Sequence, residues 1–539
     1  MNSGVITPRP PELRPDRVSF ARSLLAEWVK FRTVRGWVIA MIIAVLVTVF
    51  LGIFAAGNVN IGCQNGPNGP VLTGKACVPN YPIGPGGEAV TDSYYFVRQQ
   101  LAGNGSITVR VTSLTGLHGA GNAQAARQGP LAGMTKGVVP WAKGGLILTS
   151  GTKPGSAYAA LMVTGGHGVR MEYDYTHDTA GLPGSVTATS PRWLRLTRSG
   201  DTIAGYDSAD GRHWSLVGTA QLSGLPATAQ AGMFATSPIY TVTTPGGIGT
   251  TSIQSGPSQA TAVFDDVSLR GSWPTKTWTG NNVGKGPAAP GTGFGYFRRS
   301  GSAFTVSGSG DIAPLVAGPG AASPTSTFEQ PLAGLFAGLI AIVVVAVMFF
   351  TAEYRRGLIR TTLAADPRRG RVLAAKAVVA AAVAFAAGLV AAILAISIGL
   401  PRQRNQGSYV LPVSTLTEVR VIVGAAAMVA LVAVLAVAIG AMLRRSAAAV
   451  TVAIVVIVLP FLLAVTVLPA SAGAWLLRLT PAAGFAIEQS IPSYPQATTV
   501  FSPAQGNYPL PPWAGFAVLC AWVIVALAGA YALLRRRDA

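Results

Sequence analysis

The chain has 539 residues, of which 50% are hydrophobic and only 11% are charged, and its mean hydropathy is +0.45. Such a composition is too apolar for a soluble protein of this length and is typical of a chain that crosses a membrane several times. The net charge of +20 could indicate nucleic-acid binding, but much of the basic charge lies directly beside apolar runs, as membrane orientation requires, so we expect no nucleic acid as a partner.

The N-terminal region predicts a tail followed by an interfacial helix. Residues 1–17 are rich in Pro and Arg and lack apolar periodicity, which predicts a flexible cytosolic tail. From residue 18 to residue 35, four apolar side chains recur at spacings of 4, 4 and 3 and therefore share one helical face. They are Phe20, Leu24, Trp28 and Phe31. A basic amphipathic helix of this kind is typical of the membrane interface. The alternative, a helix that caps a soluble core, fits the adjoining apolar run less well.

Six apolar runs are long enough to cross about 30 Å of hydrocarbon. They are Gly36–Ala56, Leu332–Phe350, Val372–Leu400, Val419–Leu443, Ala447–Leu468 and Trp513–Leu534. Basic residues precede the first run, fill the connection after the second and follow the last, so the positive-inside rule predicts cytosolic termini. We therefore expect a multi-pass protein of the cell membrane whose residues 57–330 are extracellular.

The predicted spans carry no Asp, Glu, Lys or Arg near their centres. A carrier driven by protons or ions needs such groups within the bilayer, because the driving ion must titrate or coordinate there. The energy for any transport is thus expected to come from elsewhere.

The connection Glu353–Lys376, EYRRGLIRTTLAADPRRGRVLAAK, is strongly basic and lies between two spans. It carries seven Arg and Lys side chains against Glu353 and Asp366. One interpretation is a contact surface for a partner. The other is that the arginines anchor helix ends at anionic lipid headgroups.

The order of these elements resembles the permease subunits of type 2 ABC transporters. Three segments carry the resemblance: LLAEWVKFRTVRGW in the interfacial helix, TAEYRRGLIRTTLAADPRRGRVLAAK after the second span, and AGAWLLRLTPAAGFAIEQS at 472–490. It covers residues 18–56 and 331–539. The resemblance implies an exporter in which the basic connection docks on a separate ATPase subunit that holds ATP and Mg²⁺. It also implies a second permease copy, in a homodimer or a heterodimer. The implied docking residues are Glu353, Arg355, Arg356, Gly357, Ile359, Arg360 and Thr361.

The chain itself offers neither a convincing nucleotide site nor a metal site. Gly69–Ala76, GPVLTGKA, nearly matches the phosphate-loop pattern, but Ala76 replaces the hydroxyl residue that holds Mg²⁺. We interpret it as a chance match. The four histidines lack metal-ligand spacing, so we expect no metal, no cofactor in this chain and no enzymatic activity.

The first outer connection, residues 57–330, is far longer than that family's usual connection. Cys63 and Cys77 both lie in it and could form a disulfide that pins a stalk. Between about residues 90 and 314, short runs of alternating apolar residues and tight turns predict an all-β sandwich. Its sequence resembles concanavalin A-like, laminin G-like jelly-roll domains in segments such as RWLRLTRSGDTIAGYDSADGRHWSLVG and TAVFDDVSL. FTVSGSGDI, at 304–312, comes first in those domains and last here, which suggests a circular permutation.

Catalysis by this sandwich is not expected. Glu172 and Asp174 share a strand face, but the third acid of the glucanase pattern is replaced by His177, so we interpret both as ordinary exposed residues. Several aromatic and histidine side chains could bind sugar or cell wall, although core packing is the favoured interpretation for the two tryptophans. They are Tyr173, Tyr175, Trp193, His213 and Trp214.

Two functions follow from these patterns. The favoured one is the permease subunit of an ATP-driven exporter. The alternative is a cell-surface glycan-binding or sensing protein that uses its spans only as an anchor, for which six spans are excessive. The domain prediction is a tail at 1–17, an interfacial helix and first span at 18–56, the β insert at 57–330, and five further spans at 331–539.

Overall fold

The structure is a computed structural model that describes residues 20–57, 62–64, 71–119, 133–245, 251–284, 295–316, 325–355, 357, 368–497, 503 and 506–536. Helices occupy the two regions that flank a large β region. In chain order they are α1 (Phe20–Thr33), α2 (Arg35–Gly57), α3 (Leu335–Arg355), α4 (Arg369–Asn405), α5 (Thr415–Leu443), α6 (Ser446–Ile457), α7 (Leu459–Thr466), α8 (Ala470–Leu479) and α9 (Pro512–Arg536).

Six helical stretches in the described part of the chain are long and apolar enough to cross a membrane. They are Arg35–Ala56, Gln330–Tyr354, Arg369–Asn405, Thr415–Leu443, Ser446–Thr466 and Pro512–Arg536. This confirms the six predicted spans, most of which extend a few residues further than their apolar runs. The fifth span is divided between α6 and α7 because Pro460, which lacks a backbone N–H, lies in the first turn of α7.

Glycine residues allow α2 to pack very closely against α3 and against the 3₁₀ turn Gln330–Gly334 that directly precedes α3. A Cβ atom on Gly334 would lie 2.1 Å from the backbone oxygen of Thr48, and one on Gly338 would lie 2.0 Å from the Thr48 hydroxyl oxygen. On the opposite helix, a Cβ atom on Gly52 would lie 2.1 Å from the backbone oxygen of Pro331. Small residues let membrane helices approach to this distance.

The β region comprises mostly antiparallel strands. They are β1 (Gly62–Gln64), β2 (Val71–Thr73), β3 (Val90–Asp92), β4 (Tyr94–His118), β5 (Thr135–Lys136), β6 (Lys143–Thr149), β7 (Tyr158–Thr164), β8 (Val169–Tyr173), β9 (His177–Ala180), β10 (Arg192–Ser199), β11 (Thr202–Ser208), β12 (Ser215–Gln221), β13 (Thr228–Thr236), β14 (Tyr240–Pro245), β15 (Thr251–Gly256), β16 (Ser258–Ser272), β17 (Thr279–Val283), β18 (Tyr296–Ser300), β19 (Ala303–Gly308), β20 (Ile312–Pro314), β21 (Thr325–Ser326) and β22 (Tyr409–Val410).

The long strand β4 joins two leaves of a sandwich. Its first half pairs with β13, which continues through β6, β7, β8 and β9. Its second half pairs with β10 on one side, which continues through β11 and β12, and with β16 on the other. Apolar side chains of both leaves meet between them, so that a Cβ atom on Gly205 of β11 would lie 2.7 Å from the Met171 sulfur of β8. The predicted all-β sandwich is therefore present.

The two ends of the sandwich lie side by side. Val90–Asp92 pairs antiparallel with Ile312–Pro314, so the chain enters and leaves the domain at one place. The buried ammonium of Lys143 holds this closure, because its Nζ atom donates to the Ile312 carbonyl oxygen at 2.6 Å and to Glu172 Oε2 at 3.0 Å. Adjacent ends are what an insert between two neighbouring helices requires.

Glu172 corrects one sequence interpretation. We interpreted it as an exposed strand residue, but its side chain is fully buried and forms an ion pair with Lys143. The alternating sequence pattern did not reveal this burial. The segments that enter and leave the sandwich cover the outer surface of the leaf that contains β8.

The sandwich also rests directly on the helical domain. Leu411, which follows α4, packs with Ala89 and Leu315 at the base of the sandwich. The amide nitrogen of Gln496, in the connection before α9, donates to the backbone oxygen of Tyr175 at 2.7 Å. We call this side of the helical bundle the sandwich end, and the side with the 353–376 connection the loop end.

The cysteines leave one prediction open. The backbone around Cys63 pairs with β2, but the Cys63 side chain lies outside the described residues, so the disulfide with Cys77 stays a prediction. Cys520 in α9 is a free thiol.

The contact between α2 and the 3₁₀ turn before α3 provides a stability test. We expect Gly334→Ala to lower the stability by about 1–3 kcal/mol, because the added methyl group must force two backbones apart. Thermal unfolding of the detergent-solubilised protein measures this effect. Gly36→Ala is the matched control, since no atom lies within 4 Å of its Cβ position. Equal unfolding temperatures for the two variants would contradict the close contact.

Candidate functional site

The connection between α3 and α4 begins with Glu353 in the last turn of α3. The predicted docking residues Arg356, Ile359, Arg360 and Thr361 lie outside the described residues, as does the Arg355 side chain. Gly357 is described: it is exposed, with a φ of 68°. The site can therefore be described from the helix ends that hold this connection.

Four charged side chains from three elements meet at these helix ends, and we call them the four-charge cluster: Glu27 and Lys30 of α1, Glu353 of α3, and Lys376 of α4. The Lys376 Nζ atom lies 2.7 Å from Glu27 Oε2 and 2.8 Å from Glu353 Oε1. The Lys30 Nζ atom lies 2.7 Å from Glu27 Oε1 and 2.9 Å from the same Glu353 oxygen. Each carboxylate thus contacts both ammonium groups.

Burial makes this pairing necessary. The Lys376 side chain is only 1% exposed, whereas the Lys30 side chain is 39% exposed. A buried charge without a partner costs several kcal/mol, so α1 must supply Glu27 and α3 must supply Glu353 before α4 can bury Lys376. Burial opposes the ammonium charge of Lys30, but hydrogen bonds to Glu27 and Glu353 outweigh it and raise the pKa of Lys30.

Aromatic rings cover the apolar side of the four-charge cluster. Phe31 and Trp37 contact the Phe349 ring edge-on at centroid distances of 5.5 and 5.3 Å. The Lys376 ammonium lies over the same Phe349 ring, 4.6 Å from its centroid. These rings exclude water from one side of the ion pairs, which strengthens them.

The predicted apolar face of α1 is divided between two environments. Phe31 is buried in the bundle and Leu24 packs partly against it, whereas Phe20 and Trp28 are 39% and 43% exposed. Helix α1 therefore docks on the bundle through its C-terminal half, and its outward Phe20 and Trp28 remain available for the membrane interface.

Other helix ends meet close to the same place. Arg369, at the start of α4, donates from Nη1 to the Leu534 carbonyl oxygen near the end of α9 at 2.6 Å. The Ser446 hydroxyl at the start of α6 donates to the Thr351 hydroxyl oxygen of α3 at 2.9 Å. A partner that moved the 353–376 connection would therefore act on several helices together.

Sequence reasoning identified Glu353 but missed its partners. Lys376 was counted among the loop cations, and Glu27 was not singled out. The available sequence signal was a lysine within the long apolar helix α4 and a lone acid within the basic helix α1. Deciding that they meet requires the tertiary structure, since 349 residues separate them.

The near phosphate-loop sequence does not have that fold in its described part. Val71–Thr73 forms a short hairpin strand with Gly62–Gln64, and the next residues, Gly74–Cys77, form a 3₁₀ turn. A phosphate loop connects a strand to an α-helix whose N-terminus binds the phosphates. Within the described residues, no cluster of His, Cys, Asp and Glu has a geometry that could hold a metal ion.

The residues considered for sugar binding do not form one site. Tyr175 is buried and donates its hydroxyl to Asp92 Oδ2 at 2.8 Å, and Tyr173 stacks on His177. Trp193 and Trp214 are half-buried on the outer face of β10 to β12, so the interpretation that they pack in the core is wrong.

Comparison with known proteins identifies one family. A family model described as ABC-2 family transporter protein matches residues 161–539, well over half of the chain, beginning within the sandwich. No curated protein sequence matches the chain.

Two solved structures resemble part of the chain. One is a functionally unknown protein from Saccharomyces cerevisiae, 14% identical over 40% of this chain and 88% of that one, with a TM-score of 0.18. The other is scytalido-glutamic peptidase with a transition state analog inhibitor, 8% identical over 42% of this chain and all of that one, with a TM-score of 0.25. At such TM-scores neither likeness carries an argument.

The four-charge cluster predicts unequal effects for its two lysines. We expect Lys376→Met to destabilise the protein by about 3–5 kcal/mol, because it leaves two buried carboxylates that share only the partly solvated Lys30 ammonium. Lys30→Met, the matched control, should lower the stability by about 1 kcal/mol or less, because the Lys30 ammonium is partly solvated. Thermal unfolding in detergent checks both values. Adding Glu27→Gln and Glu353→Gln to Lys376→Met should restore part of the loss; equal effects of the two lysine variants would contradict the assignment.

Proposed function

The chain belongs to the ABC-2 family of transporter proteins, and we propose that it is the permease subunit of an ATP-driven exporter whose energy comes from a separate ATPase subunit docking on the 353–376 connection. The observation that carries this proposal is the four-charge cluster. It ties both ends of that connection to α1, so that a force applied to the connection reaches three helices at once.

The distribution of charge supports an external energy source. Within the described spans, buried charged side chains such as Lys376 lie near helix ends, and the centres of the spans are apolar. A proton- or ion-driven transporter would need titratable groups along its path. An ATPase subunit that binds ATP and Mg²⁺ removes this requirement, and the chain then needs no cofactor of its own.

The docking residues proposed for the ATPase are those that follow the cluster in the sequence rather than the cluster itself. Arg355, Arg356, Gly357, Ile359, Arg360 and Thr361 follow directly on Glu353. Glu353 was included among these contacts, but its carboxylate is buried against Lys30 and Lys376. We therefore assign to Glu353 the positioning of the connection and to the residues after it the contact with the partner.

Orientation follows from the basic residues. Lys30, Arg32 and Arg35 precede the first span, and Arg535–Arg537 follow the last. The positive-inside rule then puts the loop end and both termini in the cytosol and residues 57–330 outside the cell. The ATPase subunit would meet the loop end from the cytosol, and export would proceed towards the sandwich.

The functional assembly proposed contains two permease copies, identical or different, and two ATPase subunits. The sandwich is proposed to be a jelly roll of the concanavalin A-like type that acts as an outer collar or substrate receiver. The sequence resemblance quoted above and the adjacent ends of the domain support this assignment. The alternative, a glycan-binding protein anchored by its spans, is not favoured, because the family match at residues 161–539 already accounts for five of the six spans.

Removal of the loop arginines tests the docking proposal. We expect combined alanine substitution of Arg355, Arg356 and Arg360 to abolish co-purification of an ATPase with the tagged chain, or to abolish its coupled ATP turnover. The physical reason is the loss of charge-assisted contacts, each worth about 1.5–3 kcal/mol.

The control removes arginines from the other end of a span. Arg402 and Arg404 are exposed near the end of α4, and their alanine variants should retain the ATPase. Unchanged assembly and unchanged ATP turnover after removal of the loop arginines would overturn the docking proposal.

A further inference from the structure

The outer face of β10, β11 and β12 combines arginine with aromatic side chains. Leu194 and Leu196 of β10 point into the sandwich core, so the alternating residues Trp193 and Arg195 point outward. Arg195 is paired across the sheet with Tyr206, and Tyr206 is paired with Leu216. With Trp214 and Arg270 these residues form what we call the arginine–tryptophan face: Trp193, Arg195, Tyr206, Trp214, Leu216 and Arg270.

Two guanidinium groups are stacked on indole rings of this face. The Arg195 guanidinium carbon lies 3.8 Å from the Trp214 ring centroid, and that of Arg110 lies 5.7 Å from the Trp193 ring centroid. Arg195 Nε also donates to the Thr108 hydroxyl oxygen at 3.1 Å. Both the cation and the ring are therefore held in fixed positions on a rigid sheet, which lowers the entropic cost of binding.

The positive charge of the face is only partly balanced. Arg110 is neutralised by Asp265, to which it donates two hydrogen bonds of 2.7 Å, and the more exposed Asp266 carboxylate lies 3.3 Å from the Arg110 Nε atom. Arg195 forms no ion pair with a carboxylate of the described residues, and Arg270 next to it is exposed. Burial first, and then the charge of Arg270, lower the pKa of Arg195, so two like charges are held together. An anion bound between them would relieve this repulsion.

The face lies on the side of the sandwich away from the helical bundle. The outer surface of the other leaf is covered by Val90, Tyr175 and Ile312, which pack on Ile147 and Phe234. Tyr175 in turn accepts the hydrogen bond from Gln496 of the helical domain. The two leaves of a sandwich turn their outer surfaces in opposite directions. The arginine–tryptophan face therefore points away from the bundle.

We propose that the arginine–tryptophan face is a binding surface for an anionic polysaccharide. The indole and phenol rings offer flat apolar surfaces for the C–H faces of sugar rings, and the guanidinium forks match carboxylate or phosphate groups bidentately. A flat sheet suits an extended chain of sugars better than a small molecule, which needs a concave pocket. The proposal concerns a site other than the 353–376 connection and does not depend on how transport is energised.

Binding of the full-length protein to polygalacturonate tests this inference. The detergent-solubilised chain is titrated with the polymer at low ionic strength, with neutral dextran as the comparison, because screening weakens such contacts at high salt. The expected result is saturable binding to polygalacturonate and none to dextran. Arg195→Ala and Trp214→Ala should each weaken the affinity about tenfold, the size of one lost charge-assisted or stacking contact.

Three controls keep the result specific. Lys153→Ala removes the same charge from an exposed loop elsewhere on the sandwich and should leave the affinity unchanged. Arg195→Lys keeps the charge but loses the planar stack on Trp214. Its affinity for polygalacturonate should lie between that of the wild type and that of Arg195→Ala. An unchanged thermal unfolding temperature shows that the variants are folded. Equal affinity for wild type and Arg195→Ala, or equal affinity for a single-stranded DNA of similar charge density, would overturn the assignment.

Discussion

The pairing of Lys376 with two carboxylates is the constraint on which the loop end of the helical bundle depends. An ammonium group that is 1% exposed is tolerated only where opposite charges reach it, and here they come from α1 and α3. Helix α1 is therefore more than a surface helix with an apolar stripe. It supplies Glu27 to the ion pairs and Phe31 to the rings that shield them, so its position is fixed relative to both ends of the 353–376 connection.

The same separation of polar ends from an apolar middle is found at the sandwich end. Arg420 of α5 donates to the backbone oxygens of Ile487 and Gln489, which stabilises the chain between α8 and α9. Burial raises the pKa of Glu488 there, and the nearby charge of Glu329 raises it further. Between the two ends the helices pack through apolar side chains, and small residues allow close approaches such as that of Gly388 to Ala426 and Val429. Communication across the bundle must then be carried by movement of packed helices, since no chain of charged groups connects the ends in the described structure.

The sequence predicted the elements well because their patterns are local. Absence of charge over some twenty residues identified the spans, and period-two alternation identified strands such as Arg192–Ser199. The errors have physical causes. The full length of strand β4 is not visible in the sequence, because Gly103 and Gly105 interrupt its alternation where it passes from one leaf to the other. Glu172 was misjudged because its partner Lys143 lies on a strand two positions away in the sheet. Trp193 was misjudged because half-burial against a neighbouring arginine is not visible in a hydropathy pattern. The four-charge cluster required knowledge of which helix ends meet, and no local pattern contains it.

Spans two and three are joined at both of their ends, which determines how the loop end can influence the sandwich. At the loop end Glu353 of α3 binds Lys376 of α4. At the sandwich end Thr325–Ser326, before α3, pairs in parallel with Tyr409–Val410, after α4. Tyr409 also contacts Tyr81 edge-on, and Leu411 packs with Ala89 and Leu315 beneath the sandwich. Because two helices held at both ends resist sliding past each other, a displacement imposed at the 353–376 connection moves them as one body. The base of the sandwich rests on that body, so a displacement of the two helices carries the domain with it.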